Sequence, residues 1–227
     1  MKSAVRKRLA HFFWPRYSLT FDLVNRHAQF LETVNSYPAE GIREFPDRAA
    51  LHAGVSRIIG NVPITYLEFG VWKGESILAW TKLNTNPGSR FYGFDSFEGL
   101  PEDWVHHPGT VTGRGRFSLN GEAPAIPDSR VKLVRGWFQH TLRGFLREVS
   151  LPHPIIVHND SDLHSSTLYT LTTLDPCLEA GDIIMFDEYS SPLNEHLAWE
   201  EYKRAFMREA DCIAMSHNWW HTVFQLR

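Results

Sequence analysis

The chain has 227 residues, with 23 Lys plus Arg against 26 Asp plus Glu and a formal net charge of −3. That length suits one globular domain with a short extension, and the mild acidity argues against a non-specific nucleic-acid binder. No apolar run approaches the roughly 20 residues of a membrane span; Cys177 and Cys212 make neither a disulfide framework nor a zinc site, so a reducing cytoplasm is the expected location.

The first 17 residues carry only basic charge, at Lys2, Arg6, Lys7, Arg8 and Arg16, with Phe12, Phe13 and Trp14 among them. They lack the apolar stretch of a signal peptide. Two readings stay open: an arm that packs on the domain or on a partner subunit, and an interfacial anchor touching a membrane surface. Leu19 to Tyr37 has helical spacing and stops at Pro38. A second helix is expected from Pro46 or Asp47 to Ile59, with Gly60 just past its end. Residues 1–60 are therefore expected to form an arm and helical extension, and residues 61–227 the main domain.

From residue 64 the pattern changes. Ile64 to Phe69 is β-rich, Gly70 to Gly74 a turn, and Glu75 to Leu83 a helix. Phe91 to Phe94 is a second strand ending at Asp95. Residues 96–130 read as a long irregular loop, a length that usually carries function or mobility. Its Arg114 and Arg116 read either as a solvated face or as contacts for an anionic part of a substrate. Strands at Val131–Val134, Pro154–His158 and Asp182–Phe186 then alternate with helices at Trp137–Val149, Leu163–Leu178 and His196–Glu209. Cys212–Met215 and Thr222–Leu226 close the chain as an antiparallel pair. Five near-continuous apolar strands alternating with helices predict a mostly parallel sheet of the α/β class with helices on both faces.

Ligands of such a sheet bind at the carboxyl ends of its strands. Acids gather there: Glu68, Asp95, Asp160 with Asp162, and Asp187 with Glu188. The turn after the first strand, with Gly70 and Gly74 as points of close backbone approach, suits a nucleotide-bearing cofactor, and Asp95 is placed for a ribose diol. The dinucleotide glycine fingerprint fails. Glu68 stands at its first position, which suits a cofactor with a cationic amino-acid end. Asp160, Asp187 and Glu188 suit a hard divalent cation such as Mg²⁺, which could lower the pKa of a substrate hydroxyl, with Asp162 as general base. Alternatively, Asp162 caps the next helix and Asp160 pairs with a basic neighbour. His158-Asn159-Asp160 also spells H-x-D and permits an iron triad, although those sites favour β-sandwich barrels. His158 is otherwise expected in the sheet core or in a second shell around the site. His106, His107, His217 and His221 have no ligand spacing.

In order, Leu67 to Gly74, Gly93 to Pro101, Gly136 to Leu142, Asp160 to Leu163 with Ser165-Ser166-Thr167, and Asp187-Glu188-Tyr189 resemble the macrocin O-methyltransferase (TylF-type) family. The resemblance spans about Tyr66 to Phe206. It implies a Rossmann-like class I methyltransferase with a seven-stranded, mostly parallel sheet and a C-terminal antiparallel strand. It implies Mg²⁺-dependent transfer of methyl from S-adenosylmethionine to a hydroxyl of a sugar or glycosylated small molecule, with homo-oligomers left open. By position, Glu68, Gly70, Val71, Trp72, Gly74 and Ser76 would hold the methionine end of the cofactor. Asp95 and Ser96 would meet the ribose, Gly136, Trp137 and Phe138 would flank adenine, and Asp160 would touch the cofactor as well as the metal. Asp160, Asp187 and Glu188 would ligate the metal and Asp162 would be the base. Two departures stand out: Asp187-Glu188 replaces the family's usual Asp-Asp, and Asp162-Leu163-His164 its usual Asp-Leu-Tyr. Non-catalytic cofactor binding, and transfer to a phenol or catechol, remain the alternatives.

Overall fold

The structure, a computed structural model, describes residues 20–38, 40–107 and 110–227. The basic arm of residues 1–17 lies outside the described residues. Helix α1 covers 20–36. It is followed by β1 (Arg43–Phe45), α2 (Arg48–Ile59), β2 (Thr65–Phe69), α3 (Glu75–Leu83), β3 (Arg90–Asp95), β4 (Trp104–His107) and β5 (Thr110–Thr112). Then come β6 (Val131–Arg135), α4 (Phe138–Glu148), β7 (Ile155–Asn159), α5 (His164–Leu174), β8 (Ile183–Phe186), α6 (Glu195–Phe206), β9 (Ala210–Ser216) and β10 (His221–Leu226).

The main sheet runs β1-β9-β10-β8-β7-β2-β3-β6. The five expected strands β6, β3, β2, β7 and β8 are mutually parallel. β10 is antiparallel to both β8 and β9, as expected of the terminal pair. The sheet has eight strands rather than seven. β1 was not foreseen: three residues carry no periodicity, yet they pair in parallel with the outer edge of β9. Residues 43–59, read from sequence as helical extension, thus supply a strand and a helix to the main domain. The loop expected over 96–130 also contains the hairpin β4–β5.

Every residue of β2, β7 and β8 is buried, which is why these runs are apolar almost without interruption. The strand period of two divides their side chains between two cores. On one face Leu67, Phe69, Val157, Ile184 and Phe186 pack with α1, α4, α5 and α6. On the other Tyr66, Ile156 and Met185 pack with Leu51 and Val55 of α2 and Ile77 and Trp80 of α3. Each fully buried large apolar side chain contributes about 1.5–3 kcal/mol, so α6, with Trp199 and Tyr202 wholly enclosed, is well anchored. α2 starts where the sequence predicts: the Asp47 side chain accepts from the Ala50 N–H at 2.8 Å, and Gly60 closes the helix with φ 78°.

Strand order reverses between β2 and β7, the position where open α/β sheets bind ligands. Backbone bonds beyond the strands hold their carboxyl ends level. Gly136 N–H donates to Asp95, Gly70 to Phe94, Asp160 to Phe69 and Asp187 to Asn159, all within 2.9–3.0 Å.

Candidate active site

A cavity of about 270 Å³ opens over this reversal point. Gly70, Val71, Trp72 and Ser76 line it from the β2–α3 turn, and Asp95 and Ser96 from the end of β3. Trp137 and Phe138 line it from the start of α4, and Asp160, Asp162 and Glu188 from the ends of β7 and β8. Most of the expected site residues are therefore gathered around one space.

Asp95 organises the turn. Its Oδ2 accepts from the Val71 and Trp72 amides at 2.9 and 2.8 Å, and its Oδ1 from the Phe97 amide at 2.7 Å. A carboxylate offers about four lone-pair sites, so one remains for a ligand hydroxyl. Ser96 is turned to its own loop, accepting from Glu98 N–H at 3.0 Å. Phe138 stands edge-on to Phe69 with centroids 5.3 Å apart.

Four expected residues lie elsewhere. Glu68 does not line the cavity; it is fully buried, and its oxygens accept from Ser76 Oγ and Tyr66 Oη, both at 2.7 Å. The reason is strand alternation: Glu68 points to the α2–α3 face with Tyr66, one side away from the ligand end. Gly74 and Gly136 are also set back, the former beneath Ile126. Gly70 does line the cavity, but its missing side chain serves the protein: an added Cβ would overlap the Asp160 carbonyl, and φ is 95°. The close approach made there is strand to strand. Asp187 is the fourth, held behind the cavity wall.

The acids sort into two sets, each with donor atoms within 4.8 Å of one another: Asp160, Asp162 and Glu188, and His158, Asp160 and Asp187. The expected trio Asp160, Asp187 and Glu188 is thus split, with Asp160 shared. Asp187 is already compensated. Arg48 Nη1 lies 3.0 Å from its Oδ2, and His221 Nδ1 and His158 Nε2 lie 3.2 and 3.7 Å from its Oδ1. Against the penalty of burial, the two histidines and Arg48 hold Asp187 well below the usual carboxylate range. Tyr66 Oη has one proton, given to Glu68, so at 2.8 Å it accepts from His158 Nδ1. Burial disfavours charge on His158, but Asp187 and Glu68 outweigh it and raise the ring to about 10. The H-x-D pattern thus sits in a buried network in which His158 meets Tyr66, Glu68 and Asp187, within an α/β sheet rather than a β-sandwich barrel.

In the other set only Asp160 has a cation beside it, Arg48 at 3.6 Å; Asp162 and Glu188 make no ion pair with any described residue. Burial, then repulsion, raises Asp160 and Glu188 well above the usual range, and Glu188 Oε2 is buried with no hydrogen-bond partner among the described residues. Buried oxygens of this kind, converging on a cavity, fit a hard divalent cation. Asp162 rises to about 7, first through burial and then through the charges of Asp187 and Asp95. It does not cap α5: the cap position is Leu163, with no side-chain bond. Its backbone holds φ at 62°, strain of the sort that accumulates at functional positions. Sequence reasoning missed Arg48 and His221, which come from distant segments and share no motif with the acids. It also missed Gln139, Trp104 and Phe117, which line the cavity.

Residues 48–223 match the family described as macrocin O-methyltransferase (TylF). The chain belongs to the macrocin O-methyltransferase family. It is an O-methyltransferase of the class that uses S-adenosylmethionine. It is 26% identical, over 209 residues, to demethyldecarbamoylnovobiocin O-methyltransferase of Streptomyces niveus, covering 80% of this chain and 77% of that one. Among solved structures it resembles the O-methyltransferase NovP, with TM-score 0.57, 22% identity and 78% of each chain covered. It also resembles the calicheamicin methyltransferase CalS11, with TM-score 0.62, 20% identity and 89% and 91% covered. At these identities the structural likeness speaks for the Rossmann-like fold.

Proposed function

We propose that this macrocin O-methyltransferase family member transfers the methyl of S-adenosylmethionine to a hydroxyl of a sugar or glycosylated small molecule, assisted by a divalent cation such as Mg²⁺. One observation carries the reading: a single cavity joins the turn at Gly70–Ser76 and Asp95 to the carboxylates Asp160, Asp162 and Glu188. The relatives' names, which specify a novobiocin precursor and a calicheamicin methyltransferase, support a glycosylated acceptor.

Transfer is an in-line displacement in which a C–S bond breaks as a C–O bond forms and a neutral thioether leaves. Asp95 and the Trp137–Phe138 wall would hold the cofactor, and the carboxylate end of the cavity would orient the acceptor hydroxyl toward it. Asp162 takes the hydroxyl proton; its raised pKa matches it to a base working near neutral pH. Asp160 and Glu188 would hold the cation, with Asp162 the third oxygen of their set and Asp187 behind them, and the cation would lower the pKa of the bound hydroxyl. Incubation with labelled S-adenosylmethionine and Mg²⁺ against sugar nucleotides, glycosides and phenols tests this. Label on a sugar hydroxyl, lost in excess chelator, is expected; transfer to phenols alone, or full activity in chelator, overturns it.

A further inference from the structure

The cavity has two electrostatic ends. Its inner end is the carboxylate group just described. Its rim carries a row of cations and rings: Lys73, Trp72, Phe117 and Arg116. Lys73 Nζ stands 4.3 Å from the centre of the Trp72 ring, Trp72 meets Phe117 edge to face at 5.6 Å, and Arg116 Cζ stands 5.5 Å from the Phe117 ring. Trp72, Lys73 and Phe117 line the cavity.

Three features set the row apart from an ordinary solvated face. First, both aromatic residues hold backbone angles that side chains rarely adopt, φ 47° at Trp72 and 67° at Phe117, so the backbone is strained at both ends of the ring contact. Second, Trp72 is 40% exposed although it is among the largest apolar side chains of the chain, and a tryptophan face at a cavity mouth suits the C–H face of a sugar ring. Third, Lys73 and Arg116, neither ion-paired with any described residue, flank one ring pair at the cavity, whereas Arg143, also stacked on a ring, stands over Tyr169 away from the cavity lining. Two unpaired cations each stacked on a ring are pre-positioned donors.

Resting on the proposed sugar acceptor, we propose that this rim is an acceptor subsite for a sugar bearing an anionic substituent: Lys73 and Arg116 bind the anionic group while the sugar ring lies against Trp72 and Phe117. The inner carboxylates repel the same anion, so it stays at the mouth and the neutral hydroxyl edge of the sugar enters toward Asp162. The anion is a phosphate ester or a carboxylate, two sources of one chemistry.

Titration calorimetry on the full chain with S-adenosylhomocysteine present tests the subsite without using turnover. The probes are glucose 1-phosphate, glucuronic acid and methyl glucoside. Tighter binding of glucose 1-phosphate than of glucuronic acid marks the phosphate source, and the reverse order the carboxylate. Either anion is expected to bind at least tenfold tighter than the neutral glycoside, with an affinity that falls as salt rises. K73Q/R116Q is expected to remove that advantage, K73R/R116K to restore it, and neither to change S-adenosylhomocysteine affinity by more than twofold. Equal binding of the neutral glycoside, unchanged anion affinity in K73Q/R116Q, or lost cofactor-product affinity in K73Q would each overturn the subsite. Anion binding through Lys73 and Arg116 without methyl transfer to any sugar would instead overturn the proposed reaction and leave the subsite standing.

Discussion

The Arg48 guanidinium lies 3.0 Å from Asp187 and 3.6 Å from Asp160, from the first residue of α2 to the ends of two central strands. A permanent positive charge from a distant segment thus holds together two carboxylates that would otherwise repel. It stands where the two acid sets meet, on the residue they share.

Replacing that charge separates two roles. Arg48→Met is expected to lower stability by about 1–2 kcal/mol in chelator, between the worth of an exposed pair and that of a buried one. It is also expected to tighten Mn²⁺ binding roughly tenfold, because the acids lose their internal competitor. Melting curves with and without metal, and Mn²⁺ spin-resonance titration, measure both. Unchanged Mn²⁺ affinity would show that Arg48 and the cation use different oxygens.

Asp162 is expected to titrate near pH 7 in metal-free protein, because burial and the charges of Asp187 and Asp95 favour its neutral form. The sign follows directly: below that pH the group is protonated and cannot accept a proton, so kcat/KM rises as pH rises through the transition. Added Mg²⁺ favours the carboxylate and moves the transition down. Asp162→Asn is expected to lower kcat about 10²–10⁴-fold with cofactor affinity retained. Carboxyl carbon NMR and a pH–rate profile follow these effects.

Asn159 is fully buried, and neither its amide nitrogen nor its amide oxygen has a hydrogen-bond partner among the described residues. Asn159→Leu removes the uncompensated polar group at similar volume and is expected to stabilise the chain by about 1–2 kcal/mol. A higher urea midpoint at unchanged slope is the readout. A loss of stability would mean that the amide bonds an enclosed water.

Arg130 ties the start of β6 to α3 and its following loop. It donates to the Thr81 and Asn84 carbonyls at 2.7 Å and to both oxygens of Asp128. These bonds lower Asp128 from 3.8 to about 2. A depressed carboxyl adds stability that is complete above its unfolded pKa and lost as pH falls through its folded one. Wild type is therefore expected to lose this increment between about pH 4 and 2, while Asp128→Asn shows a flatter acid limb in thermal melts.

The sheet was legible because β2, β7 and β8 are buried on both sides and so read as apolar runs. The strand-end rule then placed Asp95, Asp160, Asp162 and Glu188 around one cavity. It does not bring Glu68 to the cavity, because alternation with Tyr66 turns that side chain into the opposite core. Nor does it foresee the surroundings of Asp187, whose partners are distant along the chain: Arg48 and His221 reach it from 139 residues before and 34 after. β1 was illegible for a simpler reason. Three residues hold no pattern, and only the free edge of β9 makes them a strand.

That three-residue strand has a practical meaning. The family match runs from residue 48 to 223, and a protein cut to those limits would lose β1 and the last residues of β10, including buried Phe224 and Leu226. The outer edge of β9 and the bare ends of β9 and β8 would then face other copies, an invitation to edge-to-edge aggregation. The segments flanking the recognisable core act as guards of its solubility, and a well-behaved protein needs at least residues 43–227.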